Sequence, residues 1–156
     1  MSFSITNNII DYQNLRSQLL HESAGAYCSF EGWVRNHNDG FSVEALEYKC
    51  YLELALKQGQ HIIDEANNKF DLTGCVAVHR IGTLSIGDIA VYVGVTSKHR
   101  KESFLACRYL IDNIKHRVPI WKKEHYVSAL SQWIDPTQCD CADPENLTST
   151  PSHHDH

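Results

Sequence analysis

The chain has 156 residues, of which 42% are hydrophobic and 21% charged; that length and balance exclude disordered and fibrous classes and suit one domain with one core. No apolar run approaches a membrane span, and the start MSFSITNNIIDYQNL lacks the basic beginning and apolar stretch of a secretory signal, so a cytoplasmic protein is expected. The net charge of −5 argues against general nucleic-acid affinity.

In chain order, Ile10, Leu15, Leu19 and Leu20 form a short helical stripe over Ile10 to His21, preceded by Asn7 and Asn8. Ala26 to Val34 and Val43 to Tyr51 are rich in aromatic and β-branched residues, and the turn-forming Asn36-His37-Asn38-Asp39-Gly40 between them predicts an antiparallel β-hairpin. Leu52, Ala55, Leu56, Gly59, Ile62, Ile63, Ala66 and Phe70 recur at helical period and predict a helix from Leu52 to Phe70. Two largely buried strands, Gly74 to Ile81 and Ile89 to Thr96, are joined through Gly82 and Gly87-Asp88. Phe104, Cys107, Ile111, Ile114 and Val118 mark the core face of a helix from Arg100 to Arg117, ended by Pro119. A last strand is expected over Tyr126 to Ile134.

The domain is expected to span 1–135, and residues 136–156 to form a polar, mobile tail. No strand is followed by a glycine-rich dinucleotide turn, so the expectation is an α+β fold, a mixed α/β sandwich with the hairpin near its start. Of six cysteines, Cys28, Cys50, Cys75 and Cys107 sit singly in patterned segments, where reduced thiols are commoner than disulfides. Cys139 and Cys141, with His153, His154 and His156, match no closed zinc spacing, so no metal site is assigned.

Charge is distributed unevenly. Eight of the fourteen Lys and Arg lie between Lys98 and Lys123 with only Glu102 and Asp112 among them, whereas the remainder carries seventeen acids against six basic residues. Thr96-Ser97-Lys98-His99-Arg100 stands where a strand gives way to a helix, so unpaired backbone N–H groups and the positive dipole end coincide with cationic side chains suited to a phosphate. The alternative is a plain helix start with solvated charges. Arg108, Asp112 and Lys115 share one polar face of that helix, and Trp121-Lys122-Lys123 follows Pro119. Lysines crowded by positive charge, here from Arg117 and a second lysine, become available as nucleophiles or proton shuttles; equally, lysines at a helix C-terminus simply complement the dipole. Arg35, followed by Asn36, His37 and Asn38, offers a bidentate phosphate grip or an ordinary turn. His79-Arg80 reads as structural, with the arginine paired to an acid.

Four blocks together carry a resemblance: Phe30-Glu-Gly-Trp-Val-Arg-Asn-His-Asn38, His79-Arg-Ile-Gly82, Val93-Gly-Val-Thr-Ser-Lys-His-Arg100 and Lys115-His-Arg-Val-Pro-Ile-Trp-Lys-Lys-Glu124. In their order and separation, over roughly Ser23 to Asp135, the chain resembles the catalytic large subunit of molybdopterin synthase. The resemblance implies a hammerhead-like fold and sulfur transfer in molybdenum cofactor biosynthesis. Cyclic pyranopterin monophosphate would become molybdopterin, a dithiolene, with sulfur from the thiocarboxylated Gly-Gly end of a small ubiquitin-like subunit. It further implies Lys115 and Lys122 as catalytic residues and Trp33, Val34, Arg35, His99, Arg100, Lys123 and Glu124 as substrate-binding residues. No cofactor is implied, since the pterin is the substrate, and the implied assembly is a homodimer of this chain within a heterotetramer. Two other readings remain: a non-catalytic adaptor docking an acidic or glycine-ended protein tail, and a small nucleic-acid binder, against which the acidic remainder of the chain argues.

Overall fold

The structure is a computed structural model that describes residues 1–38, 40–127 and 132–134. Its first sheet has the order β1-β5-β7-β2, built from Ser2–Thr6 (β1), Gly74–Arg80 (β5), Ile89–Ser97 (β7) and Ala26–Trp33 (β2). Strand β1 runs parallel to β5, and the other pairings are antiparallel. The second sheet has the order β3-β4-β8-β9, built from His37–Asn38 (β3), Phe41–Cys50 (β4), Ile120–Tyr126 (β8) and Gln132–Ile134 (β9), with Gly82–Ser85 (β6) also paired to β4. Three helices, Tyr12–Leu19 (α1), Leu52–Lys69 (α2) and Arg100–Arg117 (α3), complete the elements among the described residues.

Strand alternation sorts the first sheet into two buried faces. Cys75, Ala77, Val91, Val93 and Val95 face α2 and α3 and meet Ile62, Ile63, Ala66, Leu110 and Ile114 there. Val78 and Tyr92 face the other way, where Ile10 and Leu15 of the α1 region cover them. Burial on both faces explains the nearly unbroken apolar run of β7. Helix α2 approaches β1 closely at Gly59, where an added Cβ would lie 2.0 Å from the Phe3 ring, so only glycine fits. Within this core, burial pushes the thiols of Cys75 and Cys107 up to about 12, and both are free cysteines. A smaller cluster of Val34, Val43, Leu46, Leu84 and Ala90 joins the two sheets.

The α+β class and helix α3 agree with the sequence expectation, and α2 ends one residue early. Several local expectations are corrected. The first helix is shorter, because Asp11 caps it by accepting from the Asn14 N–H. The two strands expected to form one hairpin lie in different sheets: β2 pairs with β7 and β4 pairs with β6 and β8, while the hairpin itself is the short β3–β4 pair. The strand after Pro119 begins at Ile120 rather than Tyr126; of the expected Tyr126 to Ile134, residues 132–134 form β9 and 128–131 lie outside the described residues. Phe104 is 64% exposed. Ser103 takes the core place beside it, held by a hydroxyl contact to Ser97. The tail 136–156, with Cys139, Cys141 and its histidines, also lies outside the described residues.

A cationic cleft as the candidate active site

Where the two sheets meet, one cross-strand row of the first sheet, His79 on β5, Val91 on β7 and Gly32 on β2, forms the floor of a cleft of about 250 Å³. A Cβ at Gly32 would lie 2.7 Å from a Val91 methyl carbon, so glycine keeps that floor open. The opposite wall comes from one face of the second sheet. Leu46 pairs with Glu124 and Tyr48 with Lys122, and all four side chains line the cleft. Lys115 enters from the last turn of α3, Trp33 from the end of β2, Arg35 from the connection after it and His37 from β3.

Sequence positions far apart are thus brought together: Arg35, Lys115, Lys122, Glu124 and Trp33 line one cavity. Their settings differ. Lys115 is half-buried and makes no hydrogen bond or ion pair with any described residue. Lys122 has a side chain 13% exposed and stands 3.5 Å from the carboxylate of Glu124, itself 1% exposed. The Tyr126 hydroxyl donates to the same carboxylate. A charge buried to that degree is tolerable only when paired and hydrogen-bonded, so Glu124 fixes Lys122 in the wall. The Lys115 ammonium remains available to a ligand.

Other expected site residues fall elsewhere. Val34 is 2% exposed and packs in the smaller core cluster. Lys123 alternates to the far face of β8, opposite Glu47 in the register. His99 and Arg100 are exposed at the start of α3, about 24 Å from Lys115 by helix rise. There the Ser97 hydroxyl donates to the His99 carbonyl at 2.5 Å and His99 makes no side-chain cap. Arg117 does not charge the cleft either. Its guanidinium grips Glu65 at 2.6 and 2.9 Å, and Tyr109 donates to the same carboxylate at 2.8 Å.

His79, Tyr48 and His37 also line the cleft, and no local pattern in the sequence marks them for it. Arg80 does pair with Asp88, at 3.3 Å, as expected of a structural arginine. His79 beside it lines the cleft. Burial lowers its pKa to about 4; the hydrogen bond to the Arg80 carbonyl acts in the opposite sense, and the charge of Lys115 lowers it further.

Cationic groups converging on a partly apolar cavity, with one lysine paired and another unpaired among the described residues, make a candidate active site on an α+β scaffold, suited by its charge to an anionic ligand. The family model described as MoaE protein matches residues 5–117, and the chain belongs to that family. It is 41% identical over 129 residues to the molybdopterin synthase catalytic subunit of Thermoplasma volcanium, covering 83% of this chain and 94% of that protein. The catalytic subunit of Staphylococcus aureus strain COL is 42% identical over 131 residues, covering 84% and 88%. Among solved structures, molybdopterin synthase from Staphylococcus aureus superposes with a TM-score of 0.79 at 42% identity, covering 83% of this chain and 94% of that one.

Proposed function

We propose that the cleft carries out sulfur transfer in molybdenum cofactor biosynthesis, converting cyclic pyranopterin monophosphate to the dithiolene molybdopterin with sulfur from the thiocarboxylated Gly-Gly end of a small ubiquitin-like subunit. The observation that carries this reading is the convergence of Arg35, Lys115 and Lys122 on one cavity in a chain of this family. Arg35 suits the substrate phosphate through its planar fork of donors. Lys115, unpaired among the described residues, meets the incoming thiocarboxylate and the substrate. Lys122, already paired with Glu124, stabilises negative charge as sulfur adds, or passes a proton. Trp33, 67% exposed at the rim, provides a flat surface for the pterin. No cofactor enters this reading, because the pterin is consumed as substrate.

His99 and Arg100 belong to the same reading only if a second copy of the chain supplies them, since α3 holds them away from the Lys115 of their own copy. Phe104 and Leu105, 64% and 48% exposed near that helix start, give such a copy apolar surface to cover. The assembly is then a homodimer carrying one small subunit on each side. Among the described residues no helix is long and apolar enough to cross a membrane, and Cys28, Cys50, Cys75 and Cys107 are free; the thiols suit the reducing cytoplasm.

The test mixes the purified chain with the thiocarboxylated small partner and the cyclic pterin and assays dithiolene product. Product formation is expected; confirmed partner binding without product would establish the adaptor reading instead.

A further inference from the structure

His79 lines the cleft and has no part in the sulfur-transfer chemistry above. It is the last residue but one of strand β5, on the row that forms the cleft floor, and 8% of it is exposed. Its Nδ1 lies 2.8 Å from the Arg80 carbonyl oxygen. A carbonyl only accepts, so Nδ1 carries the proton and Nε2 holds a lone pair. The Tyr48 ring stands edge-on to the imidazole, with centroids 5.0 Å apart, and fixes the plane of the ring. Nε2 makes no hydrogen bond to any described residue. Among the described residues the sealed polar side-chain atom without a partner is Arg80 Nε, so His79 Nε2 keeps contact with the open cleft, where a ligand N–H or O–H can take the place of water.

The groups around the ring keep it in this state. Lys115 reaches the cleft from α3, Tyr48 from β4, Lys122 and Glu124 from β8, Arg35 from the connection after β2 and His37 from β3. Burial, reinforced by the charge of Lys115, makes the imidazolium unfavourable at neutral pH. An ammonium or guanidinium offers only donors. The cationic side chains therefore hold a phosphate equally well on any carrier, whereas a neutral acceptor distinguishes carriers by their donors.

We propose that His79 is a specificity-determining residue of the cleft, its Nε2 accepting a hydrogen bond from an N–H or O–H donor on the heterocycle or side chain of the bound pterin phosphate. The inference rests on the substrate class proposed above. It adds to the anion grip a contact that a plain phosphate does not make.

Two variants separate the ring's two nitrogens. His79→Asn places an amide near Nδ1, keeping a donor for the Arg80 carbonyl but leaving nothing at Nε2; His79→Gln places an amide oxygen near Nε2. With saturating thiocarboxylated partner, KM for cyclic pyranopterin monophosphate rises about tenfold in His79→Asn with kcat changed less than about twofold, and returns towards wild type in His79→Gln. A purely structural role for the Arg80 contact reverses that order, sparing His79→Asn, and overturns the proposal. Wild-type KM also gains a rise as pH falls towards the imidazole value of about 4, and His79→Gln lacks it.

A measurement on the wild-type chain is independent of how the variants fold. The ¹⁵N resonance of His79 Nε2 moves when the pterin phosphate is added and not when inorganic phosphate is added at the same concentration. An equal response to both, or to neither, overturns the proposal. A wild-type chain that neither binds nor turns over the pterin ends the sulfur-transfer reading and this inference with it; wild-type turnover with His79→Asn unaffected ends this inference alone.

Discussion

The two ends of α3 carry similar residues in opposite settings. At the start, His99 and Arg100 are exposed beside an uncapped turn whose N–H groups and dipole favour an anion. At the end, the dipole favours cations, and two found there have different settings: Arg117 is paired with Glu65, and Lys115 lines a cleft walled by Lys122 and Glu124. A run of basic residues in sequence is therefore two features in space, set apart by an 18-residue helix roughly 27 Å long. Convergence with distant strands makes the far end a candidate site, and the near end needs a ligand or a second copy to become part of one.

The sharpest way to break that contrast is at the far end. Lys115→Ala is expected to lower dithiolene formation roughly 10²- to 10³-fold, the scale of losing one positioned charge-stabilising donor, while binding of the small partner survives in a pull-down. Full activity in that variant would remove Lys115 from the chemistry. At the near end, Arg100→Ala should raise KM for the pterin about tenfold with kcat nearly unchanged, as expected for an interaction kept in both ground and transition states.

Mixing the two variants joins the ends. If Arg100 of one copy completes the site of the other, random pairing restores intact sites to about a quarter of the total. At pterin well below the wild-type KM, activity no higher than that of the separate variants would place both ends in unrelated roles. The smallest effect concerns the clamp on the end of α3. The hydrogen bonds from Arg117 and Tyr109 hold the Glu65 carboxyl at about 2 against an ordinary 4.5. A depressed carboxyl contributes its stability above the ordinary value and loses it as pH falls through the folded one. The wild-type urea midpoint should accordingly drop between about pH 4.5 and 2 more steeply than that of Glu65→Gln, modestly because the pair is about a third exposed.

The long helices were legible because a one-sided stripe over eighteen residues repeats often enough to outvote local exceptions. Phe104 was such an exception: a stripe shifted by one position puts a serine inside and a phenylalanine out. Strand β8 was hidden by its own charges. Its cleft-facing residues are Lys122 and Glu124, so the usual apolar inward alternation is replaced by charge, and only the pairing with β4 reveals the strand. Strand β1 is short, and its partner β5 lies some seventy residues on, a pairing that local pattern does not announce.

The same limit applies to the site. Resemblance nominated Arg35, Lys115, Lys122 and Glu124, and the structure assembles them. Nothing along the chain says that the face of β5 bearing His79 opens on that cleft rather than on the core, and the same alternation sends Lys123 away from it.

Cys75 and Cys107 gain a second meaning beside this chemistry. A protein that receives activated sulfur from a partner risks losing it to its own cysteines, because a thiolate competes for any electrophilic thioacyl group. Held at about 12 by burial, these two stay protonated and out of reach. The packing that stabilises the sheet thereby also withholds these two nucleophiles from the thioacyl chemistry proposed for the cleft, while Cys28 and Cys50 are only half-buried.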